Sequence, residues 1–125
     1  MTLSAEQLMA RLDKRPAPPE ARAEIAFRIL QEANKRDPLV EGIMEQYRRG
    51  FPSAETTAAA REELGAARDA NWHCAAGDLF HLAWGLLPSA DRLDGYLAEF
   101  YYDWAQTLGL CEERTSAIVC EVARL

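Results

Sequence analysis

Cys74, Asp78 and His81 are the residues whose types and spacing come closest to a chemical site in this sequence. On a helix, spacings of four and three would put all three on one face, with Asp78 able to contact both neighbours. Thiolate, carboxylate and imidazole groups all bind metal ions, so the cluster is a candidate metal site. Cys74 and His81 would lie roughly 10 Å apart along the helix axis, which is far for one ion to bridge. A solvated pair of Asp78 and His81 is the competing hypothesis.

The other residue types used in catalysis do not form a recognisable motif. His73 precedes Cys74, but consecutive helical residues point about 100° apart, so the two are not a nucleophile and its base. Cys111 lies just before the last predicted helix and is a candidate reactive thiol, with no base identified beside it. The sequence contains no glycine-rich phosphate loop, no H-E-x-x-H, no G-x-S-x-G and no EF-hand loop. We therefore identify no catalytic residue, expect no cofactor, and favour a protein that is not an enzyme.

Aromatic residues are concentrated in one part of the chain, since eight of the eleven fall between Trp72 and Trp104. Apolar side chains in residues 72–87 fill about half of a helical circumference, more than a surface helix needs, so this helix should be central. The next helix offers Tyr96, Phe100, Tyr101 and Trp104 as matching bulk. The first hypothesis is that these rings are core residues. The second is that some of them line a ligand pocket, walled by Trp72, Trp84 and Trp104.

Turn-forming residues divide the sequence into the helices that must position these groups. Pro16-Ala17-Pro18-Pro19 ends the first helix, because proline cannot donate the hydrogen bond that a helix interior requires. Ser4, Asp37, Ser53 and Ser89 are suitable N-caps. A kink or break is expected near Asp69-Ala70-Asn71. The predicted helical segments are 4–15, 19–36, 38–50, 54–87, 90–108 and 112–124.

These segments predict an all-α fold, because no run of residues alternates convincingly enough for a strand. The length of 125 residues suits one domain that buries a single core. Apolar residues make up 49% and charged residues 27%, as in ordinary globular proteins. We predict a compact single domain spanning residues 1–125, a bundle of five or six helices with partly orthogonal packing.

Charge is unevenly distributed and restricts the possible partners. The formal net charge is −6; residues 1–50 carry nine basic and eight acidic side chains, and residues 51–125 carry five and twelve. Phosphate backbones and anionic membranes require a basic surface. We therefore expect no direct binding to nucleic acid and no membrane association.

The expected location is the cytoplasm. No stretch approaches the roughly 18 uncharged apolar residues of a membrane span, and the N-terminus lacks the basic start and apolar run of a signal peptide. The three cysteines are odd in number and have no C-x-x-C spacing. Free thiols in a reducing compartment are the simplest interpretation.

The function that the sequence favours is a non-catalytic protein-interaction module, a small acidic regulator, adaptor or inhibitor. Tyrosine and tryptophan are favoured at interfaces because they combine a large contact area with a polar group. Carboxylates around them would steer a partner with a basic surface. The predicted partner-binding surface consists of Glu99, Tyr101, Tyr102 and Asp103.

Two alternatives remain. The first is a metal- or small-ligand-binding protein, or an enzyme, that uses the face carrying Cys74, Asp78 and His81 together with the tryptophan-walled pocket. The second is a homo-oligomer whose function resides in the assembly, formed through surplus apolar surface.

Overall fold

The fold was analysed in a computed structural model, which describes residues 3–125. The predicted all-α class is confirmed, with an isolated antiparallel bridge between Ala17 and Leu93 as the one strand-like pairing in that range. None of the helices in residues 3–125 combines the length and the apolar character that a membrane-spanning segment needs. The helices are α1 (Ala5–Lys14), α2 (Pro19–Glu32), α3 (Pro38–Arg48), α4 (Ala54–Ala70), α5 (Gly77–Trp84), α6 (Gly95–Thr107) and α7 (Glu112–Ala123).

The described residues thus form seven helices instead of the predicted five or six, because the segment 54–87 is divided into α4 and α5. The break begins where it was predicted, since α4 ends at Ala70 and Asn71 follows as its C-cap. The side-chain amide of Asn71 donates to the Ala67 carbonyl at 2.7 Å. The main-chain carbonyl of Asn71 accepts from the amide of Cys74. A Cβ on Gly77 would collide with the Asn71 carbonyl, so this tight connection requires glycine.

Side-chain caps begin several helices as predicted. Ser4 and Gln7 form a reciprocal capping box, with N···O distances of 2.9 and 3.1 Å. The Asp37 carboxylate accepts from the amide of Leu39 at 2.9 Å, and the Ser53 hydroxyl accepts from that of Thr56 at 3.3 Å. These caps are local interactions, which is why the sequence alone located them.

Ser89 does not cap a helix, contrary to the prediction. Its hydroxyl accepts from the amide of Asp91 in a turn, and α6 begins later, at Gly95. The cap is Asp94, whose carboxylate accepts from the amide of Leu97 at 2.8 Å. Aspartate and serine are comparably good N-caps, so residue type alone does not distinguish Asp94 from Ser89. The start of α6 is set by the packing of the connection 85–94.

Helix α5 lies at the centre of the packing, as predicted for this segment, and contacts α2, α3, α4 and α6. Helix α1 packs against α6 and α7, and α2 packs against α7. The buried apolar side chains form one cluster to which all seven helices contribute. Its largest fully buried members are Leu8, Leu12, Ile25, Ile29, Leu30, Ile43, Leu64, Leu82, Leu86, Leu93, Leu108 and Ile118.

Helix α6 is rotated relative to the prediction that its largest rings face the core. Phe100 is 38% exposed, whereas Ala98 and Ala105 are buried. Small residues let α6 approach α1 closely, and the carboxylate of Asp13 on α1 accepts from the amide of Gly95 at 2.9 Å. The large rings of α6 therefore lie beside this contact, toward α5.

Replacing Leu79 with alanine tests the central position of α5. Leu79 is 3% exposed, so Leu79→Ala should lower the free energy of unfolding by ~2–5 kcal/mol through the cavity it leaves. Urea denaturation measures this change. Leu39→Ala, at a half-buried position of α3, should cost less. Equal losses in the two variants would contradict the central position of α5.

Candidate functional site

An open pocket of about 680 Å³ lies between α5 and α6, and we call it the aromatic pocket. Helix α2 contributes to its floor, and α4 and the connection 71–76 contribute to one side. Rings dominate the wall, and both charge signs are present. Its lining comprises Trp72, His81, Trp84, Tyr96, Phe100, Tyr101 and Trp104, the arginines Arg22, Arg68 and Arg92, the carboxylates Asp78, Asp91 and Asp94, and Gly85 and Leu97.

The wall of the aromatic pocket is a continuous series of rings centred on His81. The imidazole meets Trp72 edge-on, with centroids 4.7 Å apart, and stacks on Trp104 at 4.9 Å with the planes 14° apart. Trp104 in turn lies 5.6 Å from Tyr101 and 5.8 Å from Phe100. Ring pairs at these separations attract one another beyond the area that they bury. The series therefore joins the 71–76 connection, α5 and α6 into one surface.

The surroundings of His81 favour the neutral form of its imidazole. Burial lowers its pKa below the ordinary value of 6.5, because a low-dielectric surrounding disfavours the charged form. The nearby carboxylate of Asp78 raises the pKa, and the guanidinium of Arg68 lowers it. A neutral imidazole in this position presents one hydrogen-bond donor and one acceptor to the pocket.

Arg68 reaches the same wall from α4. Its guanidinium carbon lies 4.2 Å from the ring centroid of Trp84 and 5.8 Å from that of Trp72. Cation–π attraction of this kind is strongest over tryptophan and holds the guanidinium in position. The buried Nε of Arg68 has no hydrogen-bond partner among residues 3–125. The two tryptophan rings therefore hold the guanidinium of Arg68 in place, and its Nε–H group is left without an acceptor in this part of the chain.

Arg22 is the most unusual residue of the pocket, because it is 5% exposed and carries a full charge. Its Nε has no hydrogen-bond partner in the described part of the chain. The five ion pairs found there are formed by other arginines, and none of them includes Arg22. A buried guanidinium without a counter-charge costs several kcal/mol.

Tyr101 lies next to Arg22 on the buried side of α6. Burial raises the pKa of its hydroxyl to about 12, and the positive charge of Arg22 opposes that rise. A Cβ built on Gly85 would come within 2.5 Å of the Tyr101 oxygen. Glycine at this position therefore leaves the space into which the phenol fits, and this contact joins the end of α5 to α6.

The predicted metal cluster is not assembled. Asp78 and His81 border the aromatic pocket, whereas Cys74 is exposed and does not. No group of three or more His, Cys, Asp or Glu side chains within residues 3–125 could hold a metal ion. The physical reason is that residues 71–76 form turns, so the helical spacing assumed for Cys74 does not apply.

The predicted partner-binding surface is divided between two sides of α6. Tyr101 is 2% exposed and faces the aromatic pocket, so it is not on the surface expected for it. Glu99, Tyr102 and Asp103 border a separate groove of about 440 Å³. The division follows from helix geometry, because neighbouring residues point about 100° apart. The Tyr102 oxygen lies 2.7 Å from the hydroxyl oxygen of Ser116, so this phenol is tied to α7.

The sequence analysis did not identify the two arginines. A signal for Arg22 is present, because Ile25, Ala26 and Ile29 follow it at the spacing of one helical face. That spacing puts Arg22 on the buried side of α2, with no acidic residue three or four positions away. Arg68 has the same kind of signal, since it is four residues after the buried Leu64.

Comparisons of this chain with protein-family models, with curated proteins and with solved structures find no match. A helical architecture by itself does not define an activity, because one architecture hosts many functions. The chemistry of the aromatic pocket is therefore the basis on which a function is inferred below.

The protonation of His81 can be measured by NMR titration of its ring carbon-bound protons. The midpoint should lie below 6.5, because burial lowers the pKa. Asp78→Asn should lower it further by removing the charge that raises it, and Arg68→Met should raise it. Because the folded-state pKa is the lower one, His81 supports stability fully above pH 6.5 and loses that contribution as pH falls through the folded-state pKa. A midpoint at or above 6.5 would contradict the buried environment.

Proposed function

We propose that this protein binds a planar organic molecule in the aromatic pocket. The observation that carries the proposal is a pocket of about 680 Å³ walled by rings that stay partly open to solvent. Sites for small molecules have volumes of about 300–1,000 Å³, with an apolar lining and a few converging polar groups. A molecule of two fused rings with a polar substituent fits this description.

Exposed rings around the pocket support the same proposal. Trp72 is 53% exposed, Tyr96 71% and Phe100 38%, and all three border it. Large apolar side chains clustered at a concave surface mark a binding site, because leaving them in water is unfavourable. Stacking a flat ligand against them would remove that exposed area and add ring–ring attraction.

The ligand is proposed to bind without forming a covalent bond to the protein. The described residues that line the pocket include no serine, threonine, cysteine or lysine, four of the side chains that serve as covalent nucleophiles. His81 and Asp78 are instead suited to orient a ligand by hydrogen bonds. In this proposal the polar groups select the ligand and the rings supply most of the affinity.

A second candidate function is the capture of a protein with a basic surface at the groove beside Tyr102. The observation that favours it is the lining of that groove, in which Glu99, Asp103 and Glu112 supply carboxylates and no basic residue is present among the described ones. Carboxylates at a groove accelerate encounter with a basic partner. Combining Glu99→Gln with Asp103→Asn should release a partner captured from native lysate. A partner retained by that double variant, and insensitive to salt, would contradict the use of this groove.

A reducing compartment such as the cytoplasm is part of the proposal. The thiols of Cys74, Cys111 and Cys120 are all free, and the first two are exposed. Exposed unpaired thiols are compatible with a compartment that keeps them reduced.

Binding of a neutral flat probe tests the proposed function. Titration with 2-naphthamide should quench tryptophan fluorescence of the protein, and Trp104→Leu should weaken the affinity by roughly a factor of ten through loss of ring stacking. Tyr102→Leu is the matched control, because it removes a ring from the same helix outside the pocket. Absence of saturable binding, or equal weakening in the two variants, would contradict the proposal.

A further inference from the structure

We propose that the ligand of the aromatic pocket is an anion, and that its carboxylate or phosphate group pairs with the guanidinium of Arg22. This inference rests on the proposed function and names the class of ligand. It comes from one observation that the ring wall does not explain. The charged side chain of Arg22 is 5% exposed, borders the ring-walled pocket, and takes part in none of the ion pairs found in residues 3–125.

The position of Arg22 directs its charge toward the pocket. It is the fourth residue of α2, on the same helical face as the buried Ile25 and Ala26, so its side chain points into the protein. Its guanidinium borders the aromatic pocket and also a second cavity of about 380 Å³. The tryptophans and His81 line the first of these cavities and not the second. Among the described residues, the second cavity has only the rings of Tyr47 and Phe51 and is lined by Glu20 beside Arg22, so the proposal places the anion in the aromatic pocket.

A second guanidinium is available at the same pocket. Arg68 is held over Trp84, its Nε has no partner, and it takes part in none of the ion pairs within residues 3–125. Arg92 also borders the pocket and is exposed. A planar guanidinium donates two parallel hydrogen bonds to a carboxylate or phosphate, an arrangement that an ammonium group does not provide.

The carboxylates of the pocket do not occupy these guanidinium groups. Asp94 is used as the N-cap of α6, Asp91 is exposed, and Asp78 lies near His81. No ion pair within residues 3–125 joins any of the three to an arginine of the pocket. The same carboxylates repel a long polyanion, whose affinity depends on many unopposed basic contacts. The structure thus favours a small ligand with one anionic group over a nucleic acid.

Three probes with the same ring system test the inference: 2-naphthoate, 2-naphthyl phosphate and the neutral 2-naphthamide. The wild-type protein should bind at least one of the two anions about ten times more tightly than the amide, since a charge-assisted pair forms with the anion alone. Comparison of the two anions shows whether the site suits a carboxylate or a phosphate.

Arg22→Met should abolish this preference, bringing the affinities for anion and amide to within about twofold of each other. Arg28→Met is the matched control on the same helix, because Arg28 pairs with Glu121 and does not border the pocket. The control should keep the full preference. Arg22→Met should fold at least as stably as the wild type, because it removes a buried charge without a partner.

The outcomes separate the inference from the proposed function. Equal binding of anion and amide by the wild type, or a preference that survives in Arg22→Met, would overturn the inference and leave the proposed function standing. Failure of all three probes to bind would overturn both. If Arg22→Met does not fold, NMR of the Arg22 Nε–H group in the wild-type protein decides the question. That resonance should shift with 2-naphthoate or 2-naphthyl phosphate and not with 2-naphthamide, and a silent resonance would overturn the inference.

Discussion

Enclosure of α5 by four other helices is the constraint on which the rest of this structure depends. A helix of eight residues is too short to be stable by itself, so α5 exists because its neighbours bury Leu79, Leu82 and Ala83. The side of α5 that these neighbours leave open carries His81 and Trp84. The pocket lies on this open side, with residues of α4, α5 and α6 in its lining.

The wall of the aromatic pocket is formed by side chains that combine an apolar ring or stem with polar heteroatoms. His81 stacks on Trp104 and is half-buried, and this burial lowers its pKa; Arg68 lies over Trp84 with its charge against the ring face. Such groups can border solvent and core simultaneously, because their rings and stems bury area while their heteroatoms stay available. In the proposed function, a surface built in this way would recognise a ligand through ring faces and through a few directed donors.

Local signals in the sequence located most of the helices and several of their caps, but not the start of α5 or α6 and not the direction in which each helix face points. The caps at Ser4 and Asp37 and the break after Ala70 depend on neighbouring residues, and the sequence located them. The rotation of α6 depends on how closely Ala98 and Gly95 let it approach α1, a contact between residues distant in sequence. Because such a contact is not visible in the local sequence, Phe100 was expected in the core although it is 38% exposed, and Tyr101 was named both as a packed ring and as part of the partner-binding surface although it is buried. The three tryptophans named as pocket walls do line one pocket, but Arg22 was missed because its burial is a tertiary effect.

Arg22 separates a structural from a functional explanation of the pocket. If the pocket were only an imperfection of packing, the floor position would favour an aliphatic side chain, because an unpaired buried charge opposes folding by several kcal/mol. Arg22 cannot be accounted for as a support for Tyr101 either, since the burial of that phenol raises its pKa and leaves it uncharged. A phenol offers no charge to offset the guanidinium. What offsets a buried guanidinium is an anion, and the open side of the pocket gives an anion a path to it. Under the proposed anion binding, Arg22 would lower the stability of the free protein and raise its affinity for a charged ligand, a balance that is common where a fold carries a binding site.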